Sequence, residues 1–215
     1  MKKINKLIEP VALTQYRSQP TAIYDGPDFT TVKDDIRQKL LEEQGHLCAY
    51  CMARIKIGNM KVEHFAPQSL FPIQQLQYSN MLGCCKGNEG SPKPSHTCDT
   101  KKGNLILKYS PSISTHHIDS RVTYSGSGRI LSRSEDFDSQ LNTVLNLNQS
   151  RLKENRVAAL EAVVADLGRK QGTRTKTEIQ QYIAKYSSRD RNNKFHNYYG
   201  YILFDLQKRL KRAPQ

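Results

Sequence analysis

The spacing of the cysteines constrains this chain more than any other feature. Cys48-Ala-Tyr-Cys51 is a C-x-x-C knuckle, and Cys84 or Cys85 together with Cys98 offers a second pair, interrupted by the stretch KGNEGSPKPSHT. Two thiolates on one tight turn can reach a single tetrahedral ion, and a second pair closes the site. His96 competes as the fourth ligand, and whichever cysteine is left over is an ordinary buried thiol. A thioredoxin-like use of C-x-x-C would need a βαβ setting, which the flanking sequence lacks. Structural zinc is the expectation, and closing such a site supplies on the order of 10 kcal/mol to a region with little core of its own.

The redox setting agrees. The N-terminus MKKINKLIEPVALTQYRSQP has no continuous apolar region of a secretory signal, and no stretch approaches the roughly 18 apolar residues of a membrane span. A cytoplasmic, membrane-free protein is expected, where a disulfide framework is disfavoured. At 215 residues one domain, or a small domain with an extension, can bury a core. The net charge of +13 points to phosphate-rich partners or an acidic protein surface. Residues 150–215 hold 15 Lys and Arg against 6 Asp and Glu, so 9 of the 13 surplus charges lie there.

Periodicity supplies the elements. Thr31 can cap a helix with Val32, Ile36 and Leu40 on one face, Asp34 and Asp35 in its first turn and Gly45 at its end, leading straight to Cys48. Residues 54–64 alternate on either side of Gly58-Asn59, as a hairpin would. A short hairpin is expected around 124–130. Leu152, Leu160, Val163, Val164 and Leu167 follow helix spacing up to Gly168, and two further patterns, around Ile179–Tyr186 and Phe195–Leu210, read as amphipathic helices. Tyr198, Tyr199, Tyr201 and Phe204 there either stack on bases or form core, core being the commoner use at helical spacing.

Between and just after the cysteines stand Glu63-His64-Phe65-Ala66-Pro67, Tyr78-Ser79-Asn80-Met81-Leu82 and Cys98-Asp99-Thr100-Lys101-Lys102-Gly103-Asn104. With the cysteines, this run resembles the zinc-containing HNH endonucleases, whose site is the ββα-metal fold. The insertion before His96-Thr-Cys98-Asp99 and the downstream Leu145-Asn-Leu-Asn148-x-x-Arg151-Leu152 resemble, more narrowly, the PtuB family, the HNH component of Septu-type anti-phage systems, which also occurs beside retrons.

The resemblance implies that His64 is the general base and Asn80 tethers the loop between the strands. It also selects Cys85 over Cys84, because a cysteine commonly sits five residues after that Asn. The third motif position is Asp99, a departure from the usual His or Asn. Glu63 and Asp99 are hard oxygen donors suited to Mg²⁺ or Mn²⁺ beside a scissile phosphate, and a histidine of ordinary pKa can take a proton from water. Lys101, Lys102 and Arg54 are candidate phosphate ligands. Because strand neighbours face opposite sides, Glu63 and His64 can share a site only if the alternation breaks where the strand ends before Pro67.

The expected architecture is α+β: an N-terminal helix and a zinc-supported ββα-metal (HNH) nuclease core over residues 1–110, a linker over 111–149, and a basic helical extension over 150–215 for docking partner or substrate. The expected function is metal-dependent hydrolysis of DNA or RNA phosphodiesters by the effector of an anti-phage system. The family resemblance implies control by an ABC-type (PtuA-like) ATPase and, beside retrons, a reverse transcriptase with its RNA/DNA product. The competing reading is a non-catalytic zinc-ribbon nucleic-acid-binding protein or an ATPase adaptor.

Overall fold

The computed structural model describes residues 1–214. Among these residues two short antiparallel sheets stand amid eight α-helices in a mixed α+β arrangement. In chain order the elements are α1 (Val11–Arg17), α2 (Phe29–Glu43), β1 (Met60–His64), β2 (Met81–Cys85), α3 (Cys98–Lys102), α4 (Ile118–Arg121), β3 (Val122–Tyr124) and β4 (Ile130–Ser132), followed by α5 (Glu135–Thr143), α6 (Ser150–Gly168), α7 (Lys176–Ser187) and α8 (Tyr199–Leu210). No helix among the described residues is long and apolar enough to cross a membrane.

Helix α2 begins at Phe29 behind Asp28, earlier than Thr31, so Asp34 and Asp35 lie beyond its first turn. Val32, Ile36 and Leu40 are its buried stripe, as their spacing requires. After the helix, Gly45 takes φ +56°, and a side chain there would run into the Phe195 ring. That turn is available only to a residue without a Cβ, and it lets His46 and Leu47 enter the knuckle.

The hairpin expected at 54–64 does not form. Ile57–Asn59 is a single 3-10 turn, closed by Lys56 N donating to Asn59 Oδ1 at 2.8 Å and Asn59 N donating to Lys56 O at 2.9 Å. The asparagine side chain thus caps a turn, and only the second half of the alternating stretch is a strand. Its partner is β2, with Val62 opposite Gly83, Glu63 opposite Leu82 and His64 opposite Met81. Beyond β2, a loop of turns leads to α3. The 124–130 hairpin is present as β3 paired with β4.

One apolar cluster runs from Met1 and α1 through α2, the knuckle and the β1–β2 sheet to Phe137 and Leu141 of α5. A second joins Leu47 and Met52 of the knuckle to Val163 and Leu167 of α6, Tyr186 of α7 and Ile202 and Leu206 of α8. The C-terminal helices are therefore packed directly against the cysteine knuckle. Tyr198, Tyr199 and Tyr201 are buried in these clusters, and Phe204 is partly buried, so they act as core and are not a base-stacking platform.

Candidate metal and hydrolytic centre

The Sγ atoms of Cys48, Cys51, Cys85 and Cys98 all lie within 4.8 Å of one another. Cys51 and Cys85 are 3.8 Å apart, close to the edge of a tetrahedron with zinc–sulfur bonds of about 2.3 Å and far too long for a disulfide. Packing thiols this closely separates their acidities. Burial alone would raise Cys48, but hydrogen bonds from Cys51, Cys84, Cys85 and Cys98 hold it well below the ordinary value. Hydrogen bonds from its neighbours push Cys51 and Cys98 well above it. Cys84 is fully buried beside the cluster without joining it. His96 is also outside, its Nε2 2.7 Å from Ser91 O.

On the α3 side of the sheet, β1 presents Lys61 and Glu63, two residues apart and so on one face. Glu63 is 3 % exposed. Tyr50 Oη donates to its Oε1 at 2.8 Å, and the fully buried Lys102 ammonium lies 2.8 Å from the same atom. Burial, reinforced by a hydrogen bond and repulsion from Asp99, pushes the Glu63 carboxyl well above the usual range. Lys61 reaches Asp99 Oδ2 at 3.6 Å and Glu89 Oε1 at 2.7 Å. Two acids from β1 and α3 are thus brought together in a place that already selects for positive charge.

His64 keeps different company. Its Nε2 lies 2.8 Å from Gln75 O, Gln68 Nε2 lies 3.0 Å from its Nδ1, and its ring meets Tyr24 edge-on at 4.5 Å. The β1–β2 pairing runs through His64 opposite Met81, and burial does not alternate at its end: Glu63 and His64 are both buried, though no side chain hydrogen-bonds to both carboxyl and ring. The link between them is Lys102, which also donates to His64 O at 3.1 Å. With the ring's Nε2–H directed at the Gln75 carbonyl, Nδ1 carries the lone pair. Burial lowers the imidazole pKa, which favours the neutral ring. Asn80 accepts from Ala66 N at 2.8 Å and donates to Ala66 O and Gln74 O, pinning both ends of the loop that carries Gln68 and Gln75.

No family model matches the chain. Two curated proteins are similar to it. "Retron Vc95 putative HNH endonuclease" of Vibrio cholerae serotype O1 biovar El Tor is 29% identical over 168 residues, covering 72% of this chain and 80% of that protein. Septu protein PtuB of Bacillus thuringiensis is 33% identical over 121 residues, covering 54% of this chain and 42% of its own length. The chain is thus similar to one protein named for a retron and an HNH endonuclease and to one named for a Septu system.

The residue types fit two different metals. Four thiols at tetrahedral spacing suit zinc. The carboxylates of Glu63 and Asp99 suit a hard cation, and the Lys102 ammonium against Glu63 is a cation stand-in at that point. Two candidate phosphate ligands are placed otherwise than expected. Lys102 is buried in the ion pair just described. Arg54 donates to Gly45 O at 3.1 Å and to Phe195 O at 2.5 Å, tying the C-terminal segment to the knuckle. Guanidinium groups are drawn to turn carbonyls as readily as to phosphate, and the sequence has no mark that separates the two. Lys101, half-buried at the end of α3, is in neither network.

Other residues of the centre carry weaker sequence signals. Tyr50 is one of the variable positions of C-x-x-C, yet its hydroxyl anchors Glu63. The segment 145–152 braces the insertion between the last two cysteines. Leu145 O accepts from Cys98 N at 2.9 Å, Asn146 Nδ2 donates to Pro94 O and His96 O, and Arg151 bonds Asn88. Within the insertion, Gly87 at φ +56° lies so close to Thr97 O that a side chain there would collide with it.

Proposed function

We propose that the chain is a metal-dependent HNH endonuclease, the effector of an anti-phage defence system, with β1, β2 and α3 as a ββα-metal core held by a zinc on Cys48, Cys51, Cys85 and Cys98. The observation that carries the reading is the meeting of the Glu63 carboxyl with Asp99 beside the cysteine cluster, with Glu63 also paired to the Lys102 ammonium that holds the His64 carbonyl. A binding module has no use for a buried acid beside a second, half-buried one and next to a neutral histidine.

Glu63 and Asp99 would hold Mg²⁺ or Mn²⁺, which when bound supplies charge neutralisation at a phosphodiester and at the leaving 3′ oxygen. His64 takes the proton of the attacking water at Nδ1. Gln75 O fixes the tautomer by accepting from Nε2, and the Tyr24 edge fixes the ring plane. The Gln68 amide, 3.0 Å from Nδ1 in the resting arrangement, gives way to the water. Asn80 keeps the carbonyl of Gln75 in register by pinning its loop. Nothing in this chemistry uses a ribose 2′-hydroxyl, so DNA and RNA are both substrates in principle.

Residues 1–110 then carry catalysis and 150–215 docking. The PtuB name of one relative, with the motif resemblance, supports regulation by a PtuA-like ABC-type ATPase. The retron name of the other supports a setting beside a reverse transcriptase. The test is co-expression with the neighbouring ATPase and sequencing of all nucleic-acid ends formed on activation. New ends with 5′-phosphate and 3′-hydroxyl, absent in His64→Ala, are expected. An unchanged set of ends in that variant contradicts the reading.

A further inference from the structure

A wide cleft lined by no cysteine lies where the end of α6 and the loop before α7 face the last turn of α8; its volume is about 720 Å³. Five cationic side chains line it: Lys170 and Arg174 from the loop, and Lys208, Arg209 and Arg212 from α8 and its continuation. Asp205 is the lone acid among its lining residues. The floor between the cations is apolar, formed by Val164, Leu167 and Ile179.

Some of this charge has local work. Arg174 donates from Nε to Leu167 O at 2.9 Å and also bonds Lys170 O, capping the carbonyls at the end of α6. Arg209 pairs with Asp205 at 2.5 Å, and Lys170 pairs with Glu178. The remainder is surplus. The Nη1 of Arg174 is buried without a hydrogen-bond partner, its nearest carboxylate oxygen being 3.8 Å away on Glu178. Exposed Lys208 and Arg212 have no side-chain ion pair or hydrogen bond among the described residues. Gly172 and Thr173 add small, polar wall positions where an anion can approach the backbone.

A cationic rim over an apolar floor suits a ligand that is itself amphipathic, with phosphates outward and sugar or base inward. An acidic protein surface would meet the rim but leave the floor empty. We infer that this cleft holds a stretch of nucleic-acid backbone outside the hydrolytic centre, as a second grip on the substrate. The identity of the polyanion rests on the nuclease reading, whereas the cleft itself does not. Helix α8 makes the coupling rigid. Its N-terminal end is fixed to the knuckle through Tyr198 N donating to Met52 O at 3.0 Å, and Lys208 is ten residues further on, about 15 Å along the axis.

The test is binding of labelled single-stranded and duplex oligonucleotides to the full chain without added divalent ion, so that no cleavage is measured. Lys208→Glu/Arg212→Glu is compared with Arg129→Glu/Arg133→Glu, which changes the net charge equally at exposed positions on and beside the β3–β4 hairpin. The cleft variant should bind about 10-fold or more weakly than the control, with a salt dependence shallower by about two phosphate contacts. Circular dichroism checks that both remain folded, and the milder Lys208→Ala/Arg212→Ala pair should show the same ranking. Equal affinity and salt slope in the two double variants overturns the inference, as does failure of the parent chain to bind oligonucleotide. Displacement of the oligonucleotide by ATP at equimolar concentration also overturns it, by showing a mononucleotide site. Because hydrolysis is not read in this assay, tight binding by a chain that forms no new ends in the end-sequencing test would sink the nuclease reading alone.

Discussion

The Lys102 ammonium lies 2.8 Å from Glu63 Oε1 with both side chains out of solvent. Breaking a buried pair by removing one partner costs about 3–5 kcal/mol, and loss of Lys102 leaves both the buried Glu63 carboxyl and the His64 carbonyl without their donor. Lys102→Met should therefore destabilise the metal-free protein by about 3 kcal/mol or more in urea unfolding. If Glu63 and Asp99 hold a divalent ion, millimolar Mn²⁺ should restore a measurable part of that loss in the variant and add less to the parent. An equal response in both would show that the acid pair does not take up the ion.

Zinc should be present at about one per chain by elemental analysis. Cys85→Ala should lose it and unfold the knuckle region, whereas Cys84→Ala should keep it despite the lost packing. Retention of zinc in the first and loss in the second would assign the fourth ligand to Cys84.

Asn146 holds two carbonyls of the insertion, on Pro94 and His96. Asn146→Ala should cost about 1–2 kcal/mol and speed amide exchange across residues 86–97. The readout is hydrogen exchange by mass spectrometry. Unchanged protection there would mean the insertion is held by Leu145 and Arg151 alone.

His116 Nδ1 accepts from Ser110 N at 2.7 Å, a bond that needs the neutral form of that nitrogen. Burial, with a smaller contribution from Arg121, lowers its pKa below the ordinary value. A base with a depressed folded pKa contributes stability above its unfolded pKa near 6.5, and that contribution fades as pH falls through the unfolded and then the folded value. Stability should thus drop between pH 7 and 5 more steeply in the parent than in His116→Gln, measured by thermal melts across that range. Parallel curves would show that the bond does not report on protonation.

Much of the centre was legible because ligand chemistry is local. The Cys48–Cys51 knuckle, the helix leading into it and the three C-terminal helices follow from spacing alone. What was not legible depends on distant partners. Nothing near Gly58-Asn59 indicates that Val62 will pair with Gly83 in place of a hairpin neighbour, and Asn59 can cap a turn as well as begin one. Lys102 and Arg54 have the right charge for phosphate, but burial against Glu63 and against the Gly45 and Phe195 carbonyls gives them other tasks. Tyr50 and Asn146 sit at positions that only the folded chain brings to the site.

The central claim is that His64 beside the Glu63–Asp99 pair hydrolyses phosphodiesters. The most direct test is cleavage of DNA and RNA by the activated protein in Mg²⁺ or Mn²⁺, parent against His64→Ala, with zinc content and melting temperature measured on the same samples. A loss of about 10²–10⁴-fold in rate is expected, with zinc and fold retained. A zinc-loaded, folded His64→Ala protein that cuts as fast as the parent would contradict the account.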